Sequence, residues 1–174
     1  MVQRVVITGA ESTGKSTLAQ ALSDHCGEPW SKEFVRDYVE SLDRELQSTD
    51  LESIARGQLD FEDAVLKQAR KFVIHDTNIL SSIIYAQHYF GRTLEWVNQR
   101  FKDRVYDLYL LCMPDIPWKA DKGQRESPEA RTQLHQIFKT NLDSLKVPYV
   151  EIRGSNEARL QQAIWNIEQL NIEF

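Results

Sequence analysis

A chain of 174 residues, 41% of them hydrophobic, supports one domain with a substantial core and is too short for two ordinary ones. Its formal net charge of −5, with no long run of Lys or Arg, excludes a general attraction to nucleic acid or anionic lipid. No apolar stretch approaches the roughly 18 residues a membrane span needs, and "MVQRVVITG" reads as a strand rather than a signal peptide, so a soluble cytoplasmic protein is expected.

The first element in chain order is the apolar run "RVVITG" at 4 to 9, whose lack of polar alternation suits a strand covered on both faces in a parallel sheet. "GAESTGKST" follows it and matches GxxxxGK[ST] in full, between that strand and a helix expected to begin near Lys15. Its glycines let the backbone curl so that N–H groups converge on phosphate oxygens at the positive end of the helix. Gly9, Ala10, Glu11, Ser12, Thr13, Gly14, Lys15, Ser16 and Thr17 are therefore the candidate ATP cradle. Lys15 is placed to reach the β and γ phosphates, and the Ser16 hydroxyl to ligate Mg²⁺. Thr17 is a backup contact or a helix residue.

A weaker strand, "WSKEFV" at 30 to 35, comes next. Within "KEFVRDY", Glu33 would face the P-loop across the cleft, where a carboxylate can accept a hydroxyl proton and orient an acceptor for in-line attack. Arg36 and Asp37 are candidate acceptor contacts, although each such charge alone is more often a solvated surface group. "SLDRELQSTD" at 41 to 50 reads as a mobile loop, and its last residue, Asp50, as the cap of a long helix through 51 to 70. "KFVIHD" at 71 to 76 is a third strand ending in Asp76, where a Walker B carboxylate meets the magnesium shell; a helix cap for "NILSSII" is the alternative role. A well-buried helix is expected over 78 to 90, and "TLEWVNQRFKDRV" at 93 to 105 forms a surface helix that could serve a homodimer.

"LYLLCM" at 108 to 113 is the fourth strand, and Pro114 and Pro117 end it. The charged segment of about 114 to 127 reads as a lid, because kinases exclude water from the transferring phosphoryl group by closing cationic side chains over it. Arg125 and Arg131 are its candidate catalytic cations, with Lys119 and Lys122 weaker ones. Trp118 either stacks on the acceptor or anchors the lid. Ser127 and Pro128 supply a cap and first position for a helix carrying Leu134, Ile137, Phe138, Leu142 and Leu145 on one stripe. After a fifth strand, "YVEI" at 149 to 152, Gly154 and Asn156 either pack against adenine or form a plain turn before the last helix. The alternation of strands and helices predicts an α/β fold, a doubly wound parallel sheet of about five strands.

Several classes drop out. A GTPase switch needs a glycine that "DTNI" lacks, and no NKxD occurs. Larger ATPase machines carry added segments for which this length leaves no room, so a small-molecule kinase fits best. Cys26 and Cys112 form no CxxC pair, and the four histidines show no metal-ligand spacing, so both sets read as core or helix-face residues.

"ITGAESTGKSTLAQAL", "EFVRDYVE", "DLESIARGQ", "HDTNILSSIIYAQHYFG" and "YDLYLLCMPDIPWKADKGQRESPEARTQLH" together resemble the ribosylnicotinamide (nicotinamide riboside) kinase domain of bacterial NAD-biosynthesis proteins, from residue 4 to about 154. The resemblance implies a P-loop NTPase fold with strand order 2-3-1-4-5 and ATP-dependent phosphorylation of nicotinamide riboside. It also implies that Glu33 and Asp76 belong to the acceptor and metal machinery and that Trp118 lies near the acceptor. It gives no ground for NMN adenylylation or transcriptional repression, and "ADKGQR" is a residue longer than the family's usual lid. The cationic pyridinium ring of that acceptor suits an aromatic face beside carboxylates such as Glu33, Asp37 or Asp115. A kinase for another nucleoside or small alcohol, and an ATP-binding regulatory module without an acceptor, are the alternatives.

Overall fold

The computed structural model describes residues 1–120 and 127–170. β1 (Gln3–Thr8) is the central strand, and β3 (Phe72–Asp76) and β4 (Leu108–Cys112) pair with it in parallel on either side. β2 (Trp30–Ser31) extends the sheet beyond β3 and β5 (Tyr149–Ile152) beyond β4, giving the order β2-β3-β1-β4-β5 that the resemblance implies. Such a sheet needs helices on both faces, and the period of two along each strand distributes the apolar side chains accordingly. Val5, Ile7, Phe72, Ile74, Leu108 and Leu110 pack against α1 (Lys15–Cys26) and α7 (Asn156–Glu168). Val6, Tyr109 and Leu111 pack on the other face under α3 (Leu51–Leu66), α4 (Ile79–Phe90), α5 (Glu95–Lys102) and α6 (Pro128–Leu145). Each fully buried Leu or Ile contributes about 1.5–3 kcal/mol. These two layers therefore fix where the strand ends, and so the site, must lie.

The helix signals perform as expected at α6, where Ser127 Oγ accepts from the Ala130 amide at 3.2 Å and Pro128 opens the helix. Two local expectations are corrected. The second strand stops at Ser31, because beyond it the chain leaves the sheet edge and Glu33 becomes the N-cap of α2 (Phe34–Glu40). Asp50, buried at 4% exposure, heads α3 but makes no side-chain bond to that helix. Its carboxylate instead accepts from both Arg44 Nη atoms (2.7 and 2.8 Å), the Tyr38 hydroxyl (3.0 Å) and the Gln47 amide (2.8 Å). The Arg44 guanidinium holds this carboxyl well below the usual carboxylate range. Arg44 itself is half-exposed, so solvent screens its pairing with this carboxylate, but the buried carboxylate has all its near neighbours as donors. The 41 to 50 loop is thus fastened to the head of α3 rather than left loose. Among the described residues no helix is long and apolar enough to cross a membrane.

Candidate active site

β1 delivers the chain into a tight loop whose glycines are sterically required. Gly9 has φ +135°, and a Cβ there would meet the Cys112 carbonyl oxygen at 2.9 Å. Gly14, at φ +82°, is the N-cap of α1, and Ser12 also lies in the left-handed region at φ +55°. The buried Thr13 hydroxyl donates to the Ala10 carbonyl at 2.8 Å, and Lys15 Nζ donates to the same oxygen at 2.8 Å, which folds the lysine back over the loop. Glu11 and Ser12 line the adjoining cavity, whereas Thr17 is exposed on the first turn of α1.

The parallel register sets Asp76 beside Ile7, next to the loop. Ser16 Oγ donates to Asp76 Oδ2 at 2.5 Å, while Asp76 Oδ1 is buried without a hydrogen-bond partner among the described residues. A hydroxyl and a carboxylate with an unsatisfied buried oxygen are hard donors that fit Mg²⁺. Burial pushes the Asp76 carboxyl above its ordinary range, opposed first by Lys15. The capping alternative for Asp76 fails: Asn78 stands at the N-cap of α4, and the Ile79 amide donates to Glu62 Oε1 at 2.8 Å. The turn after Asp76 is tight, with Thr77 at φ +64° and its amide donating to the Ile7 carbonyl at 2.9 Å.

A cavity of about 1050 Å³, counted out to its open mouth, runs from this loop between α2, α3 and α4. Lys15 stands at one end and Glu33 and Arg36 on the α2 side. Burial raises the Glu33 carboxyl, Lys15 opposes it and the Asp76 charge adds to it. The remaining walls are Val35, Val39, Leu51 and Ile54, with Tyr85, Tyr89 and Phe90 from α4. Tyr85 and Tyr89 stack with centroids 5.8 Å apart and planes at 8°. In the sequence these rings are legible only as part of a buried helix face; their spacing of four residues puts them on one side of α4 but does not mark that side as a cavity wall.

Two expected acceptor contacts do not line this cavity. Asp37 is exposed on the far side of α2, and Trp118 is half-buried outside the lining, although the amide of the next residue, Lys119, donates to Ser12 Oγ of that lining at 2.9 Å; the Trp118 indole N–H is buried without a partner among the described residues. Arg125 lies outside the described residues. Arg131, expected over the transferring phosphoryl group, is 8% exposed and donates to the carbonyls of Ser12 (2.9 Å), Ile116 (2.9 Å) and Pro114 (3.3 Å). Its position on α6 places it behind the loop. Gly154, at φ +89°, donates its amide to Asp115 Oδ2 at 2.8 Å, and Asn156 is already inside α7, whose cap is Ser155.

Sequence reasoning missed Arg159 entirely. It is 1% exposed and donates to the carbonyls of Thr13 (2.5 Å), Met113 (2.9 Å) and Gly154 (2.9 Å), and to the Asp115 carboxylate. It also missed Gln58, which accepts from the Phe34 amide at 3.3 Å and donates to the Thr77 carbonyl at 3.4 Å, so that it bridges the residues after Glu33 and Asp76.

Known proteins share this fold. The trifunctional NAD biosynthesis/regulator protein NadR of Escherichia coli (strain K12) is 30% identical over 157 residues, 87% of this chain and 38% of that protein. Solved structures of NadR protein, in complex with NAD and AMP-PNP and in complex with NR, superpose with TM-scores of 0.85 at 22% and 21% identity, covering 99% of this chain and 51% of theirs. The present chain thus spans about two-fifths of the relative's length, and the structural likeness establishes the fold. A family model described as an AAA domain matches residues 4–159, and the chain belongs to that family, AAA_28.

Proposed function

We propose that the chain is an ATP- and Mg²⁺-dependent kinase that phosphorylates nicotinamide riboside to nicotinamide mononucleotide. The observation that carries this reading is the single cavity that joins Lys15 of the P-loop to Glu33 and to the stacked rings of Tyr85 and Tyr89. Its carboxylates, Glu11 and Glu33, and its aromatic wall favour a planar cationic ring. A nucleotide acceptor would ask for several cations on that side, where Arg36 stands. The kinship with a NAD-biosynthesis protein, and NR bound to a NadR of the same fold, support the same acceptor.

In this reading the P-loop amides and Lys15 hold the β and γ phosphates of ATP. Glu33 accepts the proton of the acceptor hydroxyl as that oxygen bonds to the γ phosphorus, and the bond from phosphorus to the β–γ bridging oxygen breaks to leave ADP. Ser16 and Asp76 would hold Mg²⁺, which neutralises charge on the phosphoryl oxygens. With Arg131 engaged behind the loop, Arg125 is the remaining candidate for the transition-state charge, and Gly154 and Asn156 flank the adenine side. The proposed setting is the cytoplasm, with a small-molecule partner and neither nucleic acid nor membrane.

The test is ADP release across a panel of nucleosides, with product identified by mass. Turnover that rises with nicotinamide riboside, yields the mononucleotide and collapses in Lys15→Ala supports the reading. Turnover with other nucleosides but none with this one would replace the acceptor, and tight ATP binding without any acceptor-stimulated turnover would point to a regulatory module.

A further inference from the structure

In a trans peptide the C=O of one residue and the N–H of the next point in opposite directions, and no peptide of the described chain is cis. Whatever holds the carbonyls of Ser12 and Thr13 outward therefore aims the amides of Thr13 and Gly14 inward. Both carbonyls are held from behind the loop by buried guanidinium groups on different helices: Ser12 by Arg131 of α6 and Thr13 by Arg159 of α7. Neither arginine lines the cavity.

The two clamps have further anchors. Arg131 reaches the Ile116 and Pro114 carbonyls, and Arg159 reaches Met113, Gly154 and the Asp115 carboxylate. The end of β4, the start of α7 and the P-loop thus form one hydrogen-bonded unit. The packing is close, since a Cβ on Gly14 would lie 3.3 Å from Ile116 Cδ1 and 3.5 Å from Arg159 Nη1. The loop itself needs such support, because Ser12 is held at φ +55°, a conformation that persists only where its surroundings over-determine it. Arginine suits this task and lysine does not, since the planar fork serves two or three acceptors at once. Arg131 makes no ion pair among the described residues, although the Asp115 charge acts on it, and its guanidinium is engaged by carbonyls of the loop and of the chain after β4.

We propose that Arg131 and Arg159 are positioning residues of the nucleotide site: by fixing the peptide planes 12–13 and 13–14 they turn the Thr13 and Gly14 amides toward a polyphosphate, without touching it. The inference rests on the nucleotide-binding reading above. It assigns each arginine to one amide, so each can be tested separately.

Mg·ATP is titrated into wild-type protein, Arg131→Lys and Arg159→Lys, with calorimetry for affinity and ¹H–¹⁵N spectra for the amides. In wild type the Thr13 and Gly14 amide protons move downfield on binding. Each variant lowers ATP affinity and raises the KM for ATP by about tenfold, the equivalent of one charge-assisted hydrogen bond, while the acceptor KM stays within about twofold. Arg131→Lys reduces the Thr13 response and Arg159→Lys the Gly14 response, a pairing that a general loss of stability would not produce. Wild-type protein that ignores ATP would overturn the nucleotide reading and this inference with it. ATP-bound wild type with unresponsive Thr13 and Gly14 amides, or variants with wild-type affinity, would overturn the inference alone. Should Arg159→Lys not fold, the wild-type spectra and Arg131→Lys decide.

Discussion

Gly57→Ala separates activity from stability in this fold. A Cβ at Gly57 would lie 2.1 Å from Phe34 Cζ and 2.3 and 2.4 Å from the neighbouring ring carbons, so the ring must retreat by about 1.5 Å to regain van der Waals contact. That ring is a seat of α2 on α3: α2 has no fully buried residue, and Phe34 sits on Gly57 in a T-shaped pair with Phe61, centroids 5.1 Å apart. Overpacking costs about 1–3 kcal/mol, and the gain from replacing a helical glycine offsets about 1 kcal/mol of it. A net loss of about 0–2 kcal/mol follows, which lowers the melting temperature by no more than about 8 °C. Activity should suffer far more, because Glu33 directly precedes Phe34 and a displacement of about 1 Å at a reacting group can cost about a hundredfold in rate. The assay is ADP release at saturating ATP and nicotinamide riboside beside a thermal melt and an ATP affinity, which should be unchanged because the P-loop is untouched. A folded Gly57→Ala protein with kcat within about twofold of wild type would refute the claim that this seat positions Glu33.

Asp76→Asn keeps a partner for Ser16 but loses the anionic oxygen aimed at the metal, so turnover should fall by about a hundredfold or more and the Mg²⁺ requirement rise. Wild-type dependence on Mg²⁺ concentration in that variant would remove Asp76 from the metal site. Tyr89→Leu removes one of the two stacked rings and should raise the acceptor KM by about fivefold to tenfold with the KM for ATP unchanged, as steady-state kinetics would show. His75, buried with Nδ1 2.8 Å from the Ser31 hydroxyl, has its pKa pushed down to about 3 by burial. As pH falls below about 6.5 the unfolded chain binds a proton that the folded one refuses, so stability is lost at about 1.4 kcal/mol per pH unit until the folded pKa is reached. Urea unfolding at pH 7.5 and 5.5 should therefore show about 1 kcal/mol more loss in wild type than in His75→Val, and parallel pH profiles would contradict the assignment.

The sheet was legible because buried parallel strands leave an unambiguous trace, unbroken apolar runs ending at turn residues, and because Gly9, Lys15, Ser16 and Asp76 stand at fixed offsets from strand ends. β2 was overextended because Phe34 and Val35 are apolar, and composition alone cannot distinguish a strand from a two-residue edge followed by a helix that faces a cavity. The same limit hid Tyr85 and Tyr89: periodicity says that a face is covered, not that part of its cover is open space. Trp118 drew attention by its size and setting, yet the cavity's rings come from α4.

The arginines expose a deeper reason. A P-loop motif records the side of the loop that meets phosphate, where glycines, a lysine and a hydroxyl are needed at set positions. Its other side presents carbonyls that must also be satisfied once buried, and any donor from anywhere in the chain can satisfy them. Here the donors stand 119 and 146 residues away in sequence, on helices that only the tertiary fold brings to the loop. Arg131 attracted a catalytic reading because arginines near lids commonly meet phosphates, and Arg159 attracted none because a lone charge in a helix is usually solvated. What separates both from surface charges is burial, and burial follows from the strand order that sets β4 beside β1 and β5 beside β4.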